Sequence, residues 1–567
     1  MIKIATAPTA TDRGHSLGEW VAVATSWAER YAASRSLVIA AFTILYLIPT
    51  VKLSQMKLFW DDEFFTLYLS RTPDWKTLLQ ALATGADQHP PSFYYFTHWI
   101  LQIFGTSHVT LRLTAIAGIW LLCVCMYEIV RPLANPLWAV VAMLFPLTTH
   151  LYNYAIEARG YGLVSGFAAL AMLSWLRSSS FRERRFYLPV LAFSLAAAVA
   201  SHYYAGLVAV CLVLGELVRT VSRRKIDWPI WIAFLFTAVP IVAFFRTIQS
   251  AKGYSSHFWA IPVWSDAISF YPSELGLGPL ALLVTLGIAI SFGRGLGDGR
   301  TARVAAVKQQ RVLKVWEATA ICCLSALPLM AMFAAKYVTH GFTNRYAIAA
   351  MVGLTILLAY FLHRVTPQPK VALAAAVVCL GVFVFQVHAF AAAFNDHRDD
   401  LAANIRDLSA TGDQQVAVIG ITIFHQLSFY APRELATRLS YLADADTAIR
   451  FMGHDTIDRG LLDLDPWFPL KVIPTQMFLE GKSGFMAYGA STKWNWLTFN
   501  LAKWGDTRLL ERYGQECMLF SVTKVHFGQN PALLQQQHEA ASRMLYWKTP
   551  QTGPSLCKVY MGSKGCP

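Results

Sequence analysis

Charged side chains are scarce in this sequence. Asp, Glu, Lys and Arg make up only 14% of its 567 residues, whereas hydrophobic residues make up 55%. Soluble domains usually contain about 25% charged and about 45–50% apolar residues. Both departures indicate a chain that keeps much of its apolar surface in lipid. We therefore expect a polytopic integral membrane protein and not a soluble one.

Acidic residues are the scarcer of the two charged classes. The chain has 34 Asp and Glu against 48 Lys and Arg, which gives a net charge of +14. A basic excess is found in nucleic-acid-binding proteins, but also in the cytoplasmic loops of membrane proteins. Because most of the excess falls in alternate loops between apolar segments, we attribute it to membrane topology. No nucleic-acid partner is expected.

Cysteine spacing that would indicate a zinc site is missing. None of the nine cysteines is spaced as a zinc ligand with partner histidines. Six lie in apolar segments, where a thiol usually packs as a small hydrophobic group: Cys123, Cys125, Cys211, Cys322, Cys323 and Cys379. The other three follow residue 500, and an extracytoplasmic location would permit one disulfide, with Cys517–Cys557 as the first candidate.

The first 35 residues lack a central apolar run, which argues against a cleavable signal peptide. We predict that residues 1–35 form a cytoplasmic segment. Within it, Glu19–Ser34 has the pattern of an amphipathic helix that lies on the membrane surface.

Apolar runs long enough to cross a bilayer recur between residues 36 and 393. A spanning helix needs about 20 mostly apolar residues. We predict about eleven spans, at residues 36–53, 108–130, 135–151, 155–177, 186–201, 203–220, 228–248, 276–293, 315–336, 345–363 and 371–393. The first of the loops between them, residues 54–107, is unusually long.

Lys and Arg residues are concentrated in alternate loops. One side receives the N-terminal segment, Arg131, the segments 177–185, 219–225 and 294–314, and the segment 363–370. By the positive-inside rule this side is the cytoplasm. The loop 54–107 and the region after residue 393 are then expected on the opposite face.

The region 396–567 has the pattern of a small soluble α/β domain. Asp399–Leu408 is amphipathic, and Gln415–Ile419 is a short apolar strand after a Gly-Asp turn. Further helix and strand patterns include Thr498–Tyr513 and Met518–Val522.

Three consecutive carboxylates, Asp61, Asp62 and Glu63, follow the first span. Acids are favoured at a helix N-terminus, so a solvated helix start would explain them without any function. Their neighbours, Phe59-Trp60 and Phe64-Phe65, would instead hold them at the membrane interface. An acidic residue so close to lipid is a candidate for function.

Four further polar clusters are predicted at the same face. They are His89-Pro90-Pro91, Glu157-Ala158-Arg159-Gly160-Tyr161, His202-Tyr203-Tyr204, and Lys336 with Asn344-Arg345-Tyr346. A single cation at a helix end is usually interfacial snorkelling, but five clusters on one face favour a binding site. Arg and Lys can neutralise a lipid phosphate, and a carboxylate can deprotonate an acceptor hydroxyl.

The order of these motifs resembles the GT-C glycosyltransferases of the protein O-mannosyltransferase and aminoarabinose transferase type. The resemblance is to the bacterial branch named after dolichyl-phosphate-mannose protein mannosyltransferase. It covers about residues 36–393 and rests on Asp62-Glu63, His89-Pro90-Pro91, Arg112, Glu157-Ala158-Arg159-Gly160-Tyr161 and Arg345-Tyr346.

The resemblance implies an α-helical GT-C protein that transfers a sugar, with inversion, from a polyprenyl-phosphate donor. Asp62 would be the base or would position the acceptor, with Asp61 as its competitor. Glu63 would assist, or would bind a divalent metal together with His89; no other cofactor is implied. The candidate ligands of the donor phosphate are Arg159, Lys336 and Arg345, and the candidate pocket residues are His89, Glu157, Tyr161, His202 and Tyr346.

The resemblance also implies a location in a bacterial inner membrane, with the active site and C-terminal domain facing the periplasm or cell exterior. The acceptor would be a hydroxyl of an envelope glycolipid, a glycan or a protein. Two other functions stay open from the residues alone. One is a transporter or flippase of lipid-linked glycans, and the other is a membrane-anchored binding or assembly protein.

Overall fold

The computed structural model describes residues 17–179, 182–293, 311–490, 496–513 and 517–525. The proposed Cys517–Cys557 bridge and the predicted segment before residue 17 lie outside these residues. The α-helices before the C-terminal sheet are Leu17–Ala33, Arg35–Met56, Asp61–Ser70, Trp75–Leu82, Pro91–Phe104, His108–Val130, Pro136–Leu144, Tyr161–Arg177, Arg184–Ser201, Gly206–Arg223, Trp228–Leu235, Ala238–Ala243, Phe245–Ala251, Trp264–Leu275, Gly278–Gly293, Val315–Ser325, Leu327–Ala334, Ala350–Val365 and Pro369–Ser409. Short 3-10 turns occupy Phe145–Thr148, His150–Ile156, Tyr203–Ala205, Lys252–His257 and Asn344–Ala347, and a π-helical turn occupies Ala335–Thr339.

The apolar helices confirm a multi-pass membrane architecture. Four of them are individually long and apolar enough to cross a bilayer, namely Arg35–Met56, His108–Val130, Tyr203–Arg223 and Pro369–Ser409. The described chain reaches eight such segments when each of four sharply bent helix pairs is counted as one span. Three shorter helices, Tyr161–Arg177, Arg184–Ser201 and Ala350–Val365, occupy the remaining predicted positions. Eleven spans therefore stays a prediction, although a helix lies at every position that it requires.

Two predicted boundaries differ from the structure. The segment predicted from residue 155 becomes helical only at Tyr161, which leaves residues 157–160 in a connection outside the span. The limit between the last span and the tail lies inside one helix, because Pro369–Ser409 runs unbroken for 41 residues. No proline follows Pro369 within this helix, so nothing stops the apolar part from continuing into the amphipathic part.

Glycines let the second long span approach its neighbour closely. A Cβ on Gly118 would lie 2.2 Å from the carbonyl oxygen of Gly162, and one on Gly166 would lie 2.4 Å from the carbonyl oxygen of Gly118. Small residues at such contacts allow the backbones of membrane helices to pack directly. The helices His108–Val130 and Tyr161–Arg177 are thereby packed directly against each other.

We expect Gly118→Ala to destabilise the fold by about 1–3 kcal/mol, because the added methyl overpacks a backbone contact. The measurement is thermal unfolding of the purified protein in detergent. Gly381→Ala is the matched control, since no heavy atom lies within 4 Å of the corresponding Cβ position on the last long helix. Equal melting temperatures for the two variants would contradict this account of the packing.

The C-terminal region forms the predicted α/β domain. Its strands are β1 (Val416–Ile419), β2 (Leu439–Ala443), β3 (Val472–Pro474), β4 (Gly484–Ala490), β5 (Asp506–Tyr513) and β6 (Cys517–Thr523). Its helices are Ile421–Tyr430, Arg433–Ala436, Ala445–Met452, Thr456–Leu464, Thr475–Leu479 and Trp496–Trp504. The sheet order is β3-β2-β1-β4-β6-β5, parallel from β3 to β4 and antiparallel from β4 to β5.

The loop 54–107 and the C-terminal domain share one hydrophobic core. Phe64 and Leu67 of the loop are buried in the same cluster as Phe424, Leu427 and Tyr441 of the domain. Burial of this apolar area fixes the domain against the loop that carries the three acids. The domain therefore forms part of the surroundings of the candidate site.

Candidate active site

A cavity of about 840 Å³ lies where the loop 54–107, several helix ends and the C-terminal domain meet. It is lined by six of the predicted site residues that carry charge or an imidazole: Asp61, Asp62, His89, Arg159, His202 and Arg345. Tyr161 and Tyr346 also line it. The structure thus brings together motifs that lie up to 285 residues apart, since the numbering runs from 61 to 346.

Asp62 is the carboxylate at the centre of the site. It lies in the first turn of the helix Asp61–Ser70, which begins after the extended residue Trp60. Its Oδ2 accepts a hydrogen bond of 2.6 Å from Nη1 of Arg345 and lies 3.8 Å from Nε of Arg159. Burial alone would raise the pKa of Asp62, but Arg345 and Arg159 outweigh it and lower the pKa below its usual value. The carboxylate is therefore ionised and held between two guanidinium groups.

Arg159 connects Asp62 to a second acidic residue. Its Nη1 donates to Oδ2 of Asp87 at 3.0 Å, and its Nη2 contacts Nδ1 of His89 at 2.8 Å. Nε of Arg159 is buried without a hydrogen-bond partner. One donor of this buried guanidinium is thus left for a ligand, because a buried N–H group normally requires an acceptor.

His89 is held in one tautomer by this contact. Arg159 can only donate, so Nδ1 of His89 must accept and the ring proton lies on Nε2. Nε2 is buried and has no hydrogen-bond partner, and the residue lines the cavity. Burial, and then the positive charge of Arg159, lower the pKa of His89 to about 4. A neutral imidazole therefore offers one N–H donor to the cavity.

We expect His89 to make the fold less stable in mild acid. Its pKa is about 4 when folded and about 6.5 when unfolded, so the unfolded chain binds the extra proton between these values. Stability is complete above about pH 6.5 and is lost toward pH 4, by up to about 1.4 kcal/mol per pH unit. Melting temperatures measured from pH 7 to pH 5 should fall less steeply for His89→Gln than for the wild type.

His98→Gln is the matched control for this measurement. His98 lies on the next helix of the same loop, is half-buried and does not line the cavity. We expect this variant to follow the wild-type pH dependence. A slope for His89→Gln that equals the wild-type slope would contradict a buried neutral imidazole.

Aromatic rings surround Arg345 on the cavity side. Its guanidinium carbon lies 5.7 Å from the ring centre of Trp60, 5.5 Å from that of Tyr161 and 5.9 Å from that of Trp259. Such cation–π contacts orient an arginine and leave its N–H groups available in the plane of the guanidinium group. The ring centre of His202 lies 4.9 Å from the ring centres of both His89 and Tyr346. These rings complete an aromatic lining on this side of the cavity.

Glu63 does not line the cavity, and its predicted catalytic role is therefore not supported by the geometry. Its side chain is fully buried and forms a two-point pair with Arg112, with Nε–Oε1 and Nη2–Oε2 both at 2.7 Å. The backbone N–H of Ala158 also donates to Oε1. Asp62 and Glu63 are neighbours on a helix and point about 100° apart. Glu63 points toward Arg112 and not into the cavity.

Asp61 also lines the cavity, and its side chain contacts the C-terminal domain. Its Oδ2 accepts from the hydroxyl of Thr422 at 2.8 Å, and its Oδ1 lies 3.8 Å from Nδ1 of the buried His425. Neither Arg159 nor Arg345 is hydrogen-bonded to it among the described residues. Asp61 and Asp62 therefore have different partners, although the sequence could not separate them.

Two other predicted residues lie outside the cavity lining. Lys336 is half-exposed and does not line the cavity. Ala334 and Val338, which are four residues apart on one side of the helix, face the cavity, and Lys336 lies between them on the other side. Glu157 lies in the connection between His150–Ile156 and Tyr161–Arg177, where burial raises its pKa to about 7. The predictions of a phosphate ligand at Lys336 and a pocket residue at Glu157 are not met by this geometry.

Sequence reasoning missed the contributions of Asp87 and of the C-terminal domain. Asp87 stands two residues before His89, and its Oδ1 accepts from the backbone N–H of His89 at 3.0 Å. That spacing is typical of an Asx turn and could have identified it. The C-terminal residues gave no such signal, because their position depends on how the domain docks.

The two residues proposed for a metal do not fit one. Glu63 has both oxygens engaged by Arg112, and Nδ1 of His89 is occupied by Arg159. Within the described parts of the chain, no group of three or more His, Cys, Asp or Glu side chains is arranged to hold a metal ion. No step of the mechanism is therefore assigned to a metal here.

Known proteins resemble this chain in one sequence segment and in overall fold. Residues 88–246 match the family model described as dolichyl-phosphate-mannose-protein mannosyltransferase. The fold is similar to that of ArnT from Cupriavidus metallidurans bound to undecaprenyl phosphate, with a TM-score of 0.52, 12% identity, and coverage of 85% of this chain and 97% of that chain. The apo state of the same protein gives a TM-score of 0.52, 14% identity, and coverage of 88% and 98%.

No curated protein sequence matches the chain at a significant level. The similarity to ArnT establishes a GT-C fold, which confirms the fold implied by the motifs. The chain therefore has a GT-C fold and contains a segment similar to that mannosyltransferase family, and the two findings together indicate a glycosyltransferase.

Proposed function

We propose that this protein transfers a sugar, with inversion, from a polyprenyl-phosphate donor to a hydroxyl group of an envelope glycolipid or glycan. The observation that carries the proposal is the position of Asp62 between Arg345 and Arg159 at a cavity of about 840 Å³. The site, together with the C-terminal domain, would face the periplasm or cell exterior of a bacterial inner membrane, as the Lys and Arg distribution favours.

The two arginines would bind the donor phosphate. Arg345 is oriented by aromatic rings, and Nε of Arg159 has no hydrogen-bond partner. Guanidinium groups bind phosphate through two parallel N–H donors, with more directional contacts than an ammonium group provides. The N–H of His89 would supply one further hydrogen bond. The ArnT structure that contains undecaprenyl phosphate supports this choice of lipid class.

Donor binding would also activate Asp62. In the free protein the two arginines lower its pKa, and burial opposes them. A phosphate that engages the same arginines would weaken their effect on Asp62, so burial would raise its pKa and make it a stronger base. The site would therefore hold a weak base until the donor is present.

The reaction then needs one proton transfer and one displacement. Asp62 accepts the proton of the acceptor hydroxyl while the acceptor oxygen bonds to the anomeric carbon of the sugar. The bond between that carbon and the phosphate oxygen breaks, and its electron pair leaves with polyprenyl phosphate. Arg159 and Arg345 stabilise the negative charge that develops on the leaving phosphate.

Purified protein tests the proposal directly. Incubation with a panel of undecaprenyl-phosphate sugars and an envelope lipid extract should release undecaprenyl phosphate and yield a glycosylated product, both measured by mass spectrometry. Comparison of envelope lipids and glycans from cells with and without the active protein identifies the acceptor. If no donor in the panel binds or reacts, and if envelope composition is unchanged, the transferase proposal fails. Vesicle-to-vesicle movement of intact donor would instead identify a flippase.

A further inference from the structure

The C-terminal domain forms one wall of the cavity. Five of its residues line the cavity, and we refer to them as the C-terminal wall: Ile421, Met452, His454, Thr456 and Ile457. Three of the five are apolar, and none is a Lys or Arg. The Asp62–Arg159–Arg345 cluster belongs entirely to the membrane part. The cavity is thus divided into a membrane side that carries charged residues of both signs and an uncharged or weakly polar domain side.

The C-terminal wall lies at the carboxyl edge of the parallel strands. Ile421 begins the helix that follows β1. The side chain of Asp458 accepts from the backbone N–H of Asp444, the residue after β2, and so places the first turn of Thr456–Leu464 at the same edge. Open α/β sheets bind their ligands outside the carboxyl ends of the strands, where the strand order reverses. Here the order β3-β2-β1-β4 reverses at β1.

Hydrogen bonds hold this edge in place over the catalytic carboxylates. Thr422, which follows β1, donates to Asp61, the neighbour of Asp62. Thr456 accepts from the backbone N–H of Trp259 and donates to the carbonyl of His257, on the opposite rim of the cavity. The ligand-binding edge of the domain is therefore directed into the transferase cavity.

We propose that the C-terminal wall binds the acceptor, and that the group it binds is the uncharged, hydroxyl-bearing sugar of a glycolipid. This inference rests on the proposed function. A donor phosphate requires cations, which the wall lacks, and the adjacent carboxylate of Asp61, which is hydrogen-bonded to neither Arg159 nor Arg345, repels an anionic acceptor. Ile421 and Met452 offer apolar contact to the C–H face of a sugar ring. Nδ1 of His454 is buried without a hydrogen-bond partner and can bond a hydroxyl.

Equilibrium binding to the full-length protein in phosphatidylcholine nanodiscs tests the inference. The acceptor probe is octyl glucoside below its critical micelle concentration, and the donor probe is undecaprenyl phosphate. Tryptophan fluorescence is the readout, because Trp60 and Trp259 line the cavity. We expect Met452→Asp and His454→Ala each to weaken octyl glucoside binding at least tenfold while undecaprenyl phosphate binding changes less than twofold. Met477→Asp, on an exposed residue of the same domain, should change neither.

The other outcomes distinguish a failure of this inference from a failure of the proposed function. If octyl glucoside fails to bind the wild type, or binds both wall variants as it binds the wild type, the wall does not hold a sugar acceptor. If the wall variants lose undecaprenyl phosphate instead, the wall serves the donor and the inference is wrong. If a serine- and threonine-rich peptide displaces octyl glucoside, the acceptor is a protein. Failure of undecaprenyl phosphate to bind the wild type would count against the proposed function itself.

Discussion

Replacement of Asp62 by Asn is expected to lower the turnover of sugar transfer by about 10²–10⁴-fold, whereas Asp61→Asn should lower it by less than about tenfold. Asn has the shape of Asp but cannot accept a proton. Asp62 is held by Arg345 at the cavity, so its loss removes the proposed base. Asp61 is hydrogen-bonded to Thr422 of the C-terminal domain, and the amide oxygen of Asn preserves that contact.

The pair of variants is a matched test, since the same substitution is made at adjacent residues of one helix. Turnover is measured at saturating donor, and binding of undecaprenyl phosphate is measured separately. Asp62→Asn should still bind the lipid, because the two arginines remain and lose their competing carboxylate. A reversed order, with Asp61→Asn inactive and Asp62→Asn active, would assign the base to Asp61. Full activity in both variants would rule out a carboxylate base at this helix.

The sequence predicted most of the fold because membrane helices are encoded locally. Each apolar run and each cluster of Lys and Arg can be read without knowing what packs against it. The same holds for the α/β pattern after residue 396. The predicted limits that differ from the helix bounds, at residue 155 and at residues 393–396, depend on where a helix starts or whether two segments join. Neighbouring packing decides such points, and hydropathy alone does not.

The site was predicted in part, and for a related reason. Asp62, His89, Arg159 and Arg345 meet at the cavity, as their motifs indicated. The side that Glu63 faces depends on helix rotation, and Lys336 lies on a turn whose other side faces inward. The wall formed by Met452 and His454 requires the docked position of a separate domain. Sequence patterns identified the polar residues of the site. The direction in which each side chain points, and the docked position of the C-terminal domain, depend on the three-dimensional structure.

The buried pair of Glu63 and Arg112 is expected to be structural, and Glu63→Gln should destabilise the protein by about 3–5 kcal/mol. Both side chains are fully buried, and Arg112 also donates to the carbonyls of Ser54 and Leu58, at the end of the first long helix. Removing the carboxylate charge leaves a buried guanidinium without its counter-ion. Because these contacts join the first span to the start of the helix Asp61–Ser70, the loss should be a loss of folded protein.

Thermal unfolding and turnover per folded molecule, measured on the same samples, test this assignment. Glu183→Gln is the matched control, because Glu183 forms a partly exposed pair with Arg177 on the other side of the membrane part. Such pairs contribute about 0–1 kcal/mol, so its melting temperature should change little. Turnover of folded Glu63→Gln should stay within about tenfold of the wild type, below the usual effect of losing a general base. If Glu63→Gln melts like the wild type but is inactive, then Glu63 takes part in the chemistry and the geometry of the free protein does not represent the reacting state.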